Sequence, residues 1–483
     1  MIIKNNLDEI QDYLKDASNI LGIAEKVLIP ENVDELVEII KESNNNNTKL
    51  TFSAGGTGIT GSKVPFEGIV VSIERLDKIL KIDLDNQIIL VQPGVRLKVL
   101  QDTLNELGFF FPPNPTENWS TIGGNVATNA SGSRSYKYGS YRNFVNYLKV
   151  ILPNGEVIEI RRGDTFALDS VIIINTNNVK FIVNIPNYQR PNLKNASGYF
   201  LERNMDLIDL FIGSEGTLGI FQEIGLNFLK LPESLIAIIV FFDNLDDMFE
   251  FLQIQNIKTK EQPSLIEYFD TNSLILLKPF YNQIPNKSKY ALWLEFETNL
   301  IDAENITNIV LKEVEEHSAL SDYTWYAINE KEHNLFAEFR HKLPLQINEI
   351  ITKNKTIKIG TDTAVPKESF LEYFNYLYEI LESSKLDYLI FGHIGDCHLH
   401  ANILPKNKVE YNEGIKVYKK LIEKAIELGG TISAEHGIGK IKKEAFQKLS
   451  NQNLLKFSKQ IKLFLDPKLT LNKGNIFDLD DFK

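Results

Sequence analysis

Four of the chain's seven histidines fall in two short segments near the C-terminus. The first runs Phe391-Gly392-His393-Ile394-Gly395-Asp396-Cys397-His398-Leu399-His400-Ala401-Asn402, and the second Ser433-Ala434-Glu435-His436-Gly437-Ile438-Gly439. No histidine precedes His317. This spacing reads as a metal site beside a base. His393 and His400 differ in parity, so on one straight strand they would face opposite sides. A turn at Gly395-Asp396 would fold them into a hairpin whose imidazoles reach one point, with His398, His400 and Asn402 on one face of its second strand. Imidazoles suit zinc, iron, manganese or cobalt, and Glu435 is the natural candidate for a third ligand. Two histidines and a carboxylate with open positions form a catalytic metal pattern. His398 reads as a packed or supporting histidine, because three ligands suffice. His317, His333 and His341 read as ordinary helical surface residues. Cys397 reads as a small turn residue, with neither Lys nor Arg beside it to activate a thiolate.

The elements that must position these groups come next. At 483 residues the chain is long enough for two or three domains. A net charge of −12 argues against nucleic acid as a partner. The single cysteine excludes an internal disulfide and fits a reducing compartment. The N-terminus lacks the pattern of a signal peptide, and no apolar run approaches the roughly 18–20 residues of a membrane span. A cytoplasmic location is expected, with peripheral docking at the inner membrane face left open.

Residues 1–45 read as two helices, the second Val33–Lys41. Strands are expected at Lys49–Ser53, Ile69–Ile73 and Ile88–Val91, and a helix at Leu97–Leu107. Residues 112–142, rich in Pro, Gly, Asn and Ser, read as a long loop. A hairpin is expected over Tyr147–Leu152 and Glu156–Glu159, then a strand over Thr217–Asn227, with Leu231-Pro232 as the boundary. Beyond it, strands Leu235–Phe242 and Tyr290–Glu297 alternate with helices Leu245–Gln253 and Ala303–Glu316. A long helix carrying Arg340 and a strand Thr356–Thr361 precede the histidine hairpin, and helices follow it. This order suggests an α+β sandwich.

Gly55-Gly56-Thr57-Gly58-Ile59-Thr60-Gly61 contains G-x-G-x-x-G after a strand. A dinucleotide fingerprint needs a helix opening at the last glycine, but Ser62–Gly68 leads into another strand with no room for one. A strand-loop-strand of this kind can still bind phosphate through backbone N–H groups. Thr121–Gly132, with Gly123, Gly124, Asn125, Ala127 and Asn129, is another small-residue surface suited to a large polar cofactor. Ile212–Ile220, with Glu215 and Gly219, has the same character.

Together these segments resemble the flavin-binding domain of the vanillyl-alcohol oxidase (PCMH-type) superfamily. Gly55, Gly56, Thr57, Gly58, Gly61 and Ser62 fall in what resembles its pyrophosphate loop. Pro113, Thr121, Gly124, Asn125, Ala127, Asn129 and Gly132 fall in its second FAD segment. Glu215, Gly219 and Ile220 match the strand entry that contacts the flavin, and Asn475 lies in a closing segment that also fits. The C-terminal motifs narrow the resemblance to the D-2-hydroxyacid dehydrogenase branch: D-lactate dehydrogenases, glycolate oxidase flavoprotein subunits and D-2-hydroxyglutarate dehydrogenases. Two departures stand out: Asn114 where the family usually has Asp, and Cys397-His398 where it commonly has Gly-Asn.

The resemblance implies an α+β architecture. Residues 1–232 would form a two-subdomain PCMH-type FAD-binding domain. Residues 233–483 would form a substrate and metal domain with a ferredoxin-like sheet and C-terminal helices, the last stretch (471–483) returning to the FAD domain. It implies oxidation of a D-2-hydroxyacid, with D-lactate and glycolate as leading substrates. His393, His400 and Glu435 would bind the divalent metal, His436 would be the base, and Arg340 the substrate arginine. Lys358 is a second cation for the carboxylate, and Asn402 a hydrogen-bond donor to it. FAD should be non-covalent, because the expected FAD domain has neither His nor Cys. The electron acceptor stays open among quinone, cytochrome, electron-transfer flavoprotein and oxygen, and a homodimer is the base-rate expectation. Rival readings are an FAD oxidase of another alcohol, a non-redox flavoenzyme such as an alkylglycerone-phosphate synthase, a flavin-free zinc hydrolase, or a subunit that has lost catalysis.

Overall fold

A computed structural model describes residues 1–176, 180–258 and 261–478. Residues 479–483, part of the expected C-terminal return, lie outside the described residues. The chain forms two compact units. The first takes Met1–Gly132, Ser140–Lys230 and Ser433–Lys483, and the second Ser133–Gly139 and Leu231–Ile432. The return to the first unit thus starts at Ser433, well before residue 471 where the sequence reading placed it.

The first unit carries two principal sheets. In one, Lys26–Ile29, Ile69–Ser72 and Leu50–Ser53 lie parallel, with Ile2–Lys4 antiparallel at the edge. The expected first helix is therefore mostly absent: residues 2–4 pair with 27–29, and only Leu7–Ile10 is α-helical. The N-terminal ammonium holds the edge strand through Glu31 and Glu35, at 2.7 and 2.8 Å. As expected, no helix separates Leu50–Ser53 from Ile69–Ser72. The other sheet is antiparallel and orders Ile79–Asp83, Ile88–Val91, Ile220–Asn227, Val145–Ile151 and Val157–Arg161. Residue 471 bridges in parallel to Leu50, and Asn472 accepts from the Phe52 N–H (2.8 Å), so the last stretch extends the parallel sheet.

Residues 112–142 are less loop-like than expected, because Ile122–Thr128 is a helix. Gly, Asn and Thr are poor helix formers. Here the Thr121 hydroxyl caps the Gly124 N–H, and Ile122 and Val126, one turn apart, are fully buried. Capping and burial override propensity.

The second unit is built on an eight-stranded sheet. The path runs Trp325–Ala327, Ser234–Phe242, Tyr290–Thr298, Leu265–Phe269, Tyr388–Gly392, His398–Ile403, Ile359–Gly360, with Thr363–Ala364 also paired to His398–Ile403. Both faces are covered, which is why Ser234–Phe242 reads as one apolar run. Ile236, Ile238, Val240 and Phe242 pack with Met248, Val310, Phe374 and Leu421. Ala237, Ile239 and Phe241 pack with Phe336, Phe339, Leu343 and Ile347 of the helix Glu330–Asn354. The same alternation divides the chemistry from the core. On His398–Ile403, Leu399, Ala401 and Ile403 join the first of these clusters. His398, His400 and Asn402 therefore point to the opposite face, the one covered by Glu330–Asn354.

Among the described residues no helix is long and apolar enough to cross a membrane.

Candidate functional site

In the first unit the small residues do two jobs. Some let chain segments touch. A Cβ on Gly124 would lie 3.2 Å from the Ala54 Cβ, and one on Gly132 only 2.0 Å from the Asn114 carbonyl oxygen. The glycine loop, the Pro113 segment and the helix Ile122–Thr128 are thereby drawn into one cradle. Others leave room: a Cβ on Gly58 would meet nothing within 4 Å. The loop thus presents backbone to open space, as a phosphate-bearing ligand requires. Asn125 donates to Ser120 Oγ and Tyr141 OH, both at 2.9 Å, and Asn129, at φ +50°, accepts from Ser140 and Arg142. These two asparagines hold the cradle's shape through their side chains. Ala127 offers its carbonyl to the Glu215 N–H at 2.8 Å. Gly219 lets its strand press on Val150, and Ile220 is buried in the core.

Glu215 is the hub of the cradle's far wall. It is buried at φ +53° and accepts from Ser62 Oγ (2.9 Å), the Ile438 N–H (2.6 Å) and the Gly439 N–H (2.8 Å). Burial raises its carboxyl above the usual range, against the pull of those donors. Asn475 donates to the Ser62 carbonyl (2.9 Å) and accepts from Lys440 Nζ (2.6 Å). Burial pushes the Lys440 ammonium down to about 7. Ser62, Glu215 and Asn475 thus meet in one network, tied to the glycines that follow His436. A tightly packed cradle of backbone and small polar side chains fits a flavin dinucleotide.

Glu435 and His436 lie in the same unit. His436 Nε2 stands 3.5 Å from Glu435 Oε1, and Lys194 Nζ holds Glu435 Oε2 at 2.7 Å, with Ser131 Oγ at 3.3 Å from the same oxygen. Lys194 has a buried side chain and was not singled out in the sequence. Its only signal there is a lysine in a polar stretch, Asn192–Ser197, that carries no motif.

In the second unit the three hairpin imidazoles converge. His393–His398, His393–His400 and His398–His400 ring centroids are 5.3, 5.4 and 4.5 Å apart. One ligand atom from each lies within 4.8 Å of the others. The turn is a single 3-10 turn, Ile394–Asp396, closed by Cys397 at φ +53°. Asp396 accepts from Ser135 Oγ at 2.5 Å, which braces the turn. Arg134 and Lys137 of the same short segment pair with Glu295 (2.9 Å) and Glu297 (3.1 Å) on the sheet. Cys397 sits at the turn, as its sequence suggested, and burial pushes its thiol up to about 12.

Each imidazole has a polar neighbour, and for His393 and His400 it is a hydrogen bond that fixes the ring. His393 Nδ1 hydrogen-bonds Glu267, His398 Nε2 stands 3.1 Å from Asp362, and His400 Nδ1 lies 3.3 Å from the Thr361 carbonyl oxygen. Metal-binding histidines are characteristically oriented this way, with the second ring nitrogen on a carboxylate or carbonyl. The donor set fits a borderline divalent cation.

Glu267 is fully buried, and its other oxygen accepts from Arg340 Nε at 2.8 Å. Burial alone would raise its carboxyl, but His393 and Arg340 hold it well below the usual carboxylate range. Arg340 is buried too, its guanidinium 4.5 Å over the Phe391 ring. Lys358 is half-buried, and burial first and Arg340 second lower its pKa. A Cβ on Gly360 would lie 3.5 Å from Asn402 Oδ1 and 3.6 Å from Lys358 Cε, so these two side chains flank one glycine. Asn402 also donates to the His400 carbonyl at 3.1 Å. Arg340, Lys358, Asn402, His393 and His400, all expected from the sequence, therefore gather on one sheet face. Glu267 and Asp362 were not foreseen: Glu267 lies inside the apolar strand Leu265–Phe269, and only its being a lone acid in that run marks it. His333 bonds the Leu235 carbonyl (3.0 Å), and His317 sits 3.7 Å from Glu313 on its own helix.

Residues 231–476 match the family model for the C-terminal domain of FAD linked oxidases, and residues 24–161 match that for an FAD binding domain. The chain is 29% identical to glycolate oxidase subunit GlcD of Bacillus subtilis, over 95% of this chain and 90% of that protein. It is 28% identical to a D-lactate dehydrogenase of Anaerostipes hadrus (97% and 93% covered). It is 27% identical to a D-2-hydroxyglutarate dehydrogenase of Stutzerimonas stutzeri (98% and 96% covered). A solved alkyldihydroxyacetonephosphate synthase superposes with a TM-score of 0.69 over 97% of this chain and 81% of that one, at 16% identity, a likeness of fold. The backbone-built flavin cradle and both family matches lead to one assignment: this chain is an FAD-dependent oxidoreductase of the FAD-linked oxidase family, with a PCMH-type FAD-binding domain.

Proposed function

We propose that the protein oxidises a D-2-hydroxyacid to the 2-oxoacid, with D-lactate and glycolate as leading substrates. The observation that carries this reading is the shared sheet face. It sets a cation pair, Arg340 and Lys358, beside an imidazole cluster, which is what a carboxylate next to an oxidisable hydroxyl needs. The names of the similar proteins point to the same substrate class.

FAD held non-covalently in the cradle would supply the hydride acceptor at N5, and a divalent metal held by the imidazole cluster would supply Lewis acidity toward the substrate hydroxyl. The roles proposed for the metal ligands are His393, His400 and Glu435. Arg340 receives the carboxylate through the guanidinium edge that Glu267 leaves unused, and Glu267 fixes the direction of that edge. Lys358 adds positive charge, and Asn402 orients a carboxylate oxygen. His436 accepts the hydroxyl proton, as an imidazole working near neutral pH can. One proton to His436 and one hydride to the flavin balance the two-electron oxidation. Lys194 holds Glu435 in place. The proposed reaction leaves the acceptor that reoxidises the flavin to be found among quinone, cytochrome, electron-transfer flavoprotein and oxygen.

The test is anaerobic bleaching of the flavin band by a panel of D- and L-2-hydroxyacids, before and after chelation. Fast bleaching by D-acids that a chelator abolishes and a divalent metal restores is the expected result. A yellow protein that no hydroxyacid reduces would sink the proposal and leave the fold intact.

A further inference from the structure

We infer that His398 is a third imidazole ligand, so that the metal centre is built on His393, His398 and His400. The inference rests on the metal reading of the hairpin given above.

Three independent observations carry it. First, His398 is completely buried on the sheet face that carries the functional groups, while its neighbours Leu399 and Ala401 serve the core on the other side. A histidine needed only for packing would belong with them. Second, its ring is no farther from its fellows than theirs are from each other. The His398–His400 centroid distance of 4.5 Å is shorter than the 5.4 Å between His393 and His400. One ligand atom from each of the three falls inside a common 4.8 Å sphere of separations. Third, His398 has a buried carboxylate at hand. Its Nε2 lies 3.1 Å from Asp362, itself 3% exposed, an ion-pair distance without hydrogen-bond geometry. Asp362 directly follows Thr361, whose carbonyl holds His400 Nδ1, so one short stretch of chain faces two of the three rings.

Three clustered imidazoles in a buried pocket repay their desolvation when they share a cation. A three-histidine set also changes what the site prefers. Zn2+, Co2+ and Fe2+ gain from each added imidazole, whereas Mg2+ and Ca2+ favour oxygen donors. The site is thereby tuned toward the borderline metals and away from the hard ones.

The test uses the full-length, FAD-loaded protein and two readouts other than turnover. Pulsed electron paramagnetic resonance on the Cu2+-loaded protein counts coordinated imidazoles, and competition with a chromophoric chelator gives Zn2+ affinity. Three imidazoles in the wild type, two in His398→Asn, and a loss of at least about tenfold in Zn2+ affinity are expected. Two imidazoles in the wild type, or a His398→Asn affinity within about threefold of wild type, would overturn the inference while leaving His393 and His400 as ligands. Failure of the wild type to hold either metal would overturn this inference together with the metal reading beneath it. Should His398→Asn not fold, the wild-type count alone decides.

Discussion

The flavin cradle and the histidine hairpin recognise in opposite ways. In the cradle, side chains are mostly removed. Gly58 opens onto empty space, Gly124 and Gly132 allow backbones to touch, and polar side chains such as Asn125, Asn129 and Glu215 serve to hold the loops in shape. In the hairpin, side chains do the work and charge is balanced group by group: Glu267 against His393 and Arg340, Asp362 against His398. A backbone site tolerates changes of charge and fails on changes of volume. A side-chain site does the reverse. That difference predicts how each will break.

The largest effect should come from His393→Ala or His400→Ala. Substrate reduction of the flavin should fall by roughly 10^3-fold or more, with loss of bound metal and an unchanged flavin spectrum. Stopped-flow reduction and metal analysis check this, and loss of the flavin itself would erase the contrast between the two regions. Next comes Arg340→Lys, which keeps the charge and loses the planar fork. We expect kcat/KM to drop about 10- to 100-fold, mostly through KM, in line with the worth of a hydrogen bond between charged groups.

Glu267→Gln sharpens the comparison. An amide has one acceptor where the carboxylate has two. If its oxygen keeps Arg340, its NH2 must face His393 Nδ1 and drive the ring proton to Nε2, the atom a metal needs. Metal affinity should fall about 10- to 100-fold, read by chelator competition, while FAD stays bound. On the cradle side, Gly132→Ala should cost about 1–3 kcal/mol of stability, with flavin released on dilution. Retention of FAD in that variant would show that the cradle yields more easily than its packing suggests.

A separate effect, on stability against pH, concerns Lys440. Its folded-state pKa, about 7, lies below the ordinary lysine value of 10.5. The fold therefore prefers the neutral amine, and the resulting destabilisation is complete below pH 7 and relieved as pH rises toward 10.5. Melting of Lys440→Met against wild type should show the difference moving in favour of wild type across that window.

Legibility in the sequence followed the same division. The cradle's glycines and the hairpin's histidines announced themselves by type and spacing. So did the strand-loop-strand that ruled out a dinucleotide helix. What stayed hidden depended on contacts far along the chain. Glu267 meets His393 from a strand 126 residues earlier, and no periodicity marks such a pairing. The N-terminal strand Ile2–Lys4 is invisible without its partner Lys26–Ile29. The helix Ile122–Thr128 was missed because composition argued against it, although Thr121 carried a capping signal. His398 was set aside because the arithmetic of three ligands looked complete, and only its burial and its aspartate reopen the question.

The segmentation of the first unit bears on synthesis. Its parallel sheet is finished by Asn472, which accepts from the Phe52 N–H across 420 residues of chain. A ribosome delivers Leu231–Ile432 entire while the sheet begun near residue 26 still lacks that last contribution. The second unit can mature first, and the earlier segments must wait with an open edge until Leu471 and Asn472 have been made. Removal of the segment that holds Leu471, Asn472 and Asn475 would therefore be felt first at the flavin cradle, in the unit whose synthesis began first.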